Sequence, residues 1–147
     1  MAKVAIVGAG FIGRAWAISF ARAGNDVTMW DQAPAASEGA RDYIAGVLGD
    51  LQANDLLRGQ TPDQVLARIS VTTELAEALR GASYIQENTP EKRDVKRDVF
   101  SLLDGLADAD AVIASSSSAL LPSSFTEHLA GRHRCLVVHP LNPPYLI

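Results

Sequence analysis

A single cysteine, Cys135, stands among the 147 residues, which excludes an intrachain disulfide framework and any metal site built on clustered cysteines. Histidine is nearly as scarce. His128, His133 and His139 lack ligand spacing and supporting carboxylates, so no metal site is read from them. No apolar run approaches the roughly 20 residues needed to span a bilayer, and Met1–Gly10 carries no convincing signal-peptide cleavage site. There is no basic excess either: 13 Lys and Arg against 17 Asp and Glu leave a formal net charge of −4. That balance argues against nucleic acid or an anionic membrane as the main partner. Internal repeats and disordered linkers are also missing. What is present is an ordinary globular composition, 48% apolar and 20% charged, long enough for one domain with a sizeable core. The expectation is a cytoplasmic protein.

Short apolar runs alternate with helix-forming stretches. Lys3–Val7 (KVAIV) and Asp26–Trp30 (DVTMW) read as strands on either side of a helix over Gly13–Ala23, stopped by Gly24-Asn25. A mostly helical excursion covers about 32–68, with Thr61-Pro62-Asp63-Gln64 shaped as a capped helix start. Ile69–Thr72 reads as a strand, Thr73 as the cap of a helix over Glu74–Arg80, and Ser83–Glu87 as a further strand. Thr89-Pro90-Glu91 marks another start, after which Val95, Val99, Leu102, Leu103 and Leu106 form one apolar face. Asp110–Ala114 and Arg134–His139 read as strands, Ser115–Ser118 as a polar turn and Ser123–Ala130 as a helix. Strands alternating with helices, most of the strands uniformly apolar, point to an α/β fold, a doubly wound and mostly parallel sheet covered on both faces.

Gly8-Ala9-Gly10-Phe11-Ile12-Gly13 is a G-x-G-x-x-G placed directly after a strand and opening a helix. Gly8 permits a tight turn, Gly10 admits a pyrophosphate close to the backbone, and Gly13 lets helix and strand pack closely. The unpaired N–H groups of the helix start then face the phosphates. Asp31, 18 residues after Gly13 at the end of the second strand, is placed to accept hydrogen bonds from an adenosine ribose. A 2′-phosphate would meet that carboxylate with no cation in Gln32-Ala33-Pro34 to offset it, so NAD is favoured over NADP. The plainer alternative is a simple βα turn with Asp31 capping a loop. Three later strand ends carry polar residues: Gln86-Glu87-Asn88, Ser115–Ser118 and His139. Singly, a serine run reads as a solvated turn and a strand-end His as a surface residue. Together they would converge on the crevice where such sheets bind ligands, and His suits proton transfer near neutral pH. A Ser–His hydrolase lacks its G-x-S-x-G elbow here and leaves the glycine loop unexplained.

Val4–Gly13 (VAIVGAGFIG) with Arg14-Ala15-Trp16-Ala17 and Asp31 opens a series of motifs, continued by Gln86-Glu87-Asn88-Thr89-Pro90-Glu91. Ser115–Ser118 with Ala119–Ser123, and His139-Pro140-Leu141-Asn142-Pro143-Pro144-Tyr145, complete it. In this order the sequence resembles the L-3-hydroxyacyl-CoA dehydrogenase family, in its λ-crystallin / L-gulonate 3-dehydrogenase branch. The resemblance implies a Rossmann-type domain over 1–147 that binds NAD through Gly8, Gly10, Phe11, Ile12, Gly13, Asp31, Glu91, Lys96 and Ser116. It implies His139 as the base for a 3-hydroxyl, Ser118 as the hydrogen-bonding partner of the substrate oxygen, and Asn142 as a shaper of the turn. The substrate would be a small 3-hydroxy compound, an acyl-CoA or a sugar acid, and the complete protein a homodimer.

Two departures accompany the resemblance. Pro140-Leu141 stands where hydroxyacyl-CoA enzymes typically carry aromatics, which is more similar to the gulonate and carnitine dehydrogenases. The family also orients its His with a glutamate beyond the H-x-x-N-P segment and adds an all-helical C-terminal domain, neither of which is found up to Ile147. Tyr145-Leu146-Ile147 reads as the approach to another strand. The expectation is therefore a cofactor-binding part, able to bind NAD with little or no turnover alone. A non-catalytic, λ-crystallin-like NAD-binding module is the alternative of another class.

Overall fold

The computed structural model describes residues 1–146. Strands β1 (Lys3–Val7), β2 (Asp26–Trp30), β3 (Ile69–Val71), β4 (Tyr84–Glu87), β5 (Val112–Ser115) and β6 (Cys135–Val137) form one sheet. Their order is β3-β2-β1-β4-β5-β6, and every pairing is parallel. The direction of winding reverses beside β1, which opens a crevice between the carboxyl ends of β1 and β4.

The apolar run Val4–Val7 follows from this position. Side chains alternate across a strand, so Val4 and Ile6 enter one core while Ala5 and Val7 enter the other. The first core lies under helices α1 (Phe11–Arg22), α2 (Pro34–Ala53) and α3 (Pro62–Leu66). The second lies under α4 (Leu75–Leu79), α5 (Arg93–Leu106) and α6 (Ser123–Thr126), with Phe100 and Phe125 packed edge-on at 4.9 Å. The Thr61–Gln64 capping box is present: Gln64 N–H donates to Thr61 Oγ1, and Thr61 N–H donates to Gln64 Oε1.

Several boundaries differ from the sequence reading, each for a local reason. The helix expected from Thr89 begins at Arg93, because the Thr89 hydroxyl and N–H both turn back to Glu87. Thr72, not Thr73, supports the start of α4, by accepting from Glu74 N–H. Leu102 and Leu106 of α5 are exposed, and the buried face of that helix is carried by Lys96, Phe100 and Leu103. The Ser123–Ala130 helix ends at Thr126. His139 stands two residues beyond β6, not within it. Pro144–Leu146 form a 3₁₀ turn instead of a strand approach, and Ile147 lies outside the described residues.

Candidate functional site

The turn after β1 is possible only with glycine. Gly8 adopts φ +95°, and a Cβ there would lie 2.9 Å from the Asn88 carbonyl. A Cβ on Gly13 would lie 1.9 Å from the Gly8 carbonyl oxygen, so α1 can approach the turn this closely only without a side chain. At Gly10 nothing stands within 4 Å of an added Cβ, which leaves an open cradle. Gly10 caps α1 without a side-chain hydrogen bond, and the first backbone bond is Arg14 N–H to Gly10 O. The N–H groups of Phe11, Ile12 and Gly13 thus stand at an uncapped helix start, the arrangement that receives phosphate.

Asp31 joins this turn from β2. Its Oδ2 accepts from Ala9 N–H at 2.8 Å and its Oδ1 from Ala33 N–H at 3.0 Å. Each oxygen keeps a lone pair for a ribose hydroxyl. Between Asp31 and the loop after β4 lies a cleft of about 550 Å³, lined by Gly8, Gly10, Trp30, Asn88, Pro90, Val95 and Val99 among others. Polar groups at one rim and an apolar floor from Trp30, Val95 and Val99 match an adenosine. Val95 and Val99 read in the sequence simply as core-facing positions. Their signal was two β-branched residues, four apart, at the start of the helix facing the glycine turn. A larger hollow of about 620 Å³, beside Arg22, Asp26 and Arg68, lies at the amino ends of β2 and β3, away from the crevice.

The opposite wall is held by buried charge. Lys96, 1% exposed, reaches both oxygens of the fully buried Glu87 at 2.9 and 3.0 Å and the Thr89 carbonyl at 3.2 Å. Glu87 also accepts from Thr89 N–H and from the Ser115 hydroxyl, both at 2.6 Å. The Lys96 ammonium is thus directed into the protein beneath the loop and does not face the cleft. Glu91 stands 3.6 Å from the same ammonium. Its Oε1 collects the Ser117 hydroxyl at 2.6 Å, Ser118 and Ala119 N–H at 3.0 Å, and Leu120 N–H at 3.4 Å.

Partial burial pushes the Glu91 carboxyl up, but the bonds from the Ser117 hydroxyl and these N–H groups outweigh it and hold the value at about 2, against an ordinary 4.5. A depressed carboxylate stabilises the fold above its unfolded value and loses that contribution as pH falls from 4.5 towards 2. We therefore expect the stability difference between wild type and Glu91→Gln, read from urea midpoints, to shrink between pH 6 and pH 3. A difference independent of pH would remove Glu91 from this role.

Ser118, on the turn that Glu91 holds, places its Oγ 2.9 Å from His139 Nε2. Both residues are exposed at the carboxyl end of the sheet. Beside them Trp16, His139, Pro140, Leu141 and Pro144 line a small hollow of about 210 Å³. Ser116 points the other way. Its Oγ accepts from Trp16 Nε1 at 3.0 Å and Gln86 Nε2 at 2.8 Å and donates to Asn88 Oδ1 at 2.7 Å. One donor and two lone pairs are a hydroxyl's full capacity, so the Ser116 hydroxyl is fully engaged by these three partners. Among the described residues, no group of three or more His, Cys, Asp or Glu is placed to hold a metal ion.

A six-stranded parallel sheet with a glycine turn, an uncapped helix and a strand-end carboxylate at its switch point defines a dinucleotide-binding domain. Residues 3–147 match the family described as 3-hydroxyacyl-CoA dehydrogenase, NAD binding domain, and the chain belongs to that family. The chain is 43% identical over 145 residues to λ-crystallin of Oryctolagus cuniculus, covering 98% of this chain and 46% of that protein. It is also 43% identical over 145 residues to L-carnitine dehydrogenase of Streptomyces griseus, covering 99% of this chain and 42% of the relative. Thus it spans less than half the length of these curated relatives. Among solved structures, an NAD+-dependent dismutase, FHMPC 5-dehydrogenase, superposes with a TM-score of 0.87 at 31% identity, covering 100% of this chain and 47% of that one. The cofactor of the domain is NAD.

Proposed function

We propose that this chain is the cofactor-binding part of an NAD-dependent dehydrogenase that oxidises a secondary 3-hydroxyl to a ketone. The observation that carries the reading is the 2.9 Å Ser118–His139 pair, standing at the same strand ends as the glycine turn. NAD, when bound, supplies a hydride acceptor. The uncapped start of α1 would receive its pyrophosphate, Asp31 its ribose hydroxyls, and the Trp30–Val95–Val99 floor its adenine.

His139 Nε2 would take the proton of the substrate hydroxyl. Ser118 Oγ, at hydrogen-bond distance from that nitrogen, would donate to the same substrate oxygen and fix its position. Glu91 supports this step indirectly, because it anchors the turn carrying Ser118. Pro140, Pro143 and Pro144 limit how far the chain beyond the base can swing. The whole protein would add the orienting glutamate and helical domain that the family resemblance implies, and with them the homodimer contacts. No described helix is long and apolar enough to cross a membrane, and the reading places the protein in the cytoplasm.

The family, the branch that the sequence resembles and the similarity to L-carnitine dehydrogenase leave three substrate classes to separate: a 3-hydroxyacyl-CoA, L-gulonate and L-carnitine. The test is NADH formation by the intact protein with each in turn. We expect one of them to exceed the others by at least about tenfold in kcat/KM, the scale of a few pocket contacts. NADH binding without turnover of any of the three would favour the non-catalytic module instead.

A further inference from the structure

Gln86 is an amide on the central strand β4, and it is 0% exposed. Burying such a group is unfavourable unless every polar atom finds a partner, and here each does. Its Oε1 accepts from the Tyr84 hydroxyl at 2.8 Å. Its Nε2 donates to Ser116 Oγ at 2.8 Å and to the Val138 carbonyl at 3.3 Å.

That last partner gives the arrangement its consequence. The final backbone bond between β5 and the chain leaving β6 runs from Val138 N–H to Ser115 O. Beyond it the chain departs from the sheet, and the Val138 carbonyl belongs to the peptide that begins His139. Gln86 therefore holds the base's own peptide, while Ser118 meets its imidazole from the opposite end. Gln86 is itself fixed on two sides. Tyr84 fastens its oxygen, and Ser116 is locked by Trp16 of α1 and by Asn88. Trp16 in turn stacks on Phe20 at 5.5 Å and borders the hollow beside His139.

We propose that Gln86 is a positioning residue for His139, fixing the Val138–His139 peptide and so the depth at which the imidazole meets substrate. The proposal rests on His139 being the base. Its distinctive claim is that a buried side chain two strands away sets the rate without touching substrate or cofactor.

The test is Gln86→Met, which keeps the shape and removes all three hydrogen bonds. In the intact protein we expect kcat to fall about 10- to 100-fold, the cost of a misplacement on the scale of 1 Å. NADH affinity should stay within about twofold and substrate KM within about threefold, since neither ligand meets Gln86. In the labelled protein the Val138 carbonyl ¹³C resonance should move upfield as it loses its donor. A moved resonance with kcat unchanged would overturn the positioning role while leaving His139 as the base. A normal kcat in His139→Ala would overturn the base assignment and this proposal with it. If Gln86→Met does not fold, Tyr84→Phe removes only the bond that fastens the amide. It should lower kcat about two- to fivefold in the same pattern, and an unchanged kcat there would count against the proposal.

Discussion

Lys96→Met should destabilise the folded chain by about 3–5 kcal/mol, the usual consequence of leaving one partner of a buried ion pair unpaired. Lys96 and Glu87 are 1% and 0% exposed and lie 2.9 Å apart, so water cannot take over from either. Methionine fills the same volume with no donor. Glu87 then faces only the N–H and hydroxyl of Thr89 and the hydroxyl of Ser115, with Glu91 close by as a second carboxylate. The loop from Asn88 to Glu91, which walls the cleft, hangs on the same pair, so NADH affinity should weaken along with stability.

Urea unfolding of wild type, the two single variants Lys96→Met and Glu87→Gln, and the double variant checks the argument. The double variant should lose clearly less than the sum of the singles, because it removes both charges together. A cost for Lys96→Met below about 1 kcal/mol, typical of a surface pair, would show that the pair does not hold the wall.

The parts of the fold that were legible in the sequence are those fixed by local chemistry. KVAIV could be read as a strand because the four apolar residues after Lys3 leave no solvent face, and the alternation of Val4 and Ile6 with Ala5 and Val7 shows both faces covered. The Thr61–Gln64 capping box and the glycine turn are equally local, and both stand where their residues put them. Where the sequence misled, long-range partners had taken over a local signal. Thr89 has the form of a helix cap, but Glu87 claims it, and Glu87 is in turn claimed by Lys96 seven residues beyond Thr89. Lys96 itself sits on the helix face that otherwise holds Phe100 and Leu103, and nothing within α5 signals that a carboxylate waits beneath it. Ser116 and Ser118 look alike in a run of serines. One faces inward to Trp16 and Gln86, the other outward to His139, and that difference is set by the turn leaving β5, since both serines lie beyond the strand and an extended chain would put them on one side. The lone amide in β4 was the visible sign of Gln86, and its partner Val138 lies 52 residues away.

His139→Ala carries the largest effect on function, because the reading gives this one side chain the proton transfer. Loss of a positioned general base lowers the chemical rate by about 10²–10⁴-fold. No described neighbour can substitute: Ser118 is a hydroxyl, and the Glu91 carboxylate, held at about 2, is spent on the Ser117–Leu120 turn. Cofactor binding should be spared, since His139 is not among the residues lining the cleft formed by the glycine turn, Asp31 and the apolar floor. The direct measurement is to follow both events on the intact protein with its best 3-hydroxy substrate. NADH binding is read from energy transfer out of the two tryptophans, Trp16 and Trp30, and hydride transfer from single-turnover NADH formation. The account predicts unchanged NADH binding and a rate lower by at least about 100-fold. A His139→Ala protein that forms NADH at the wild-type rate would contradict it.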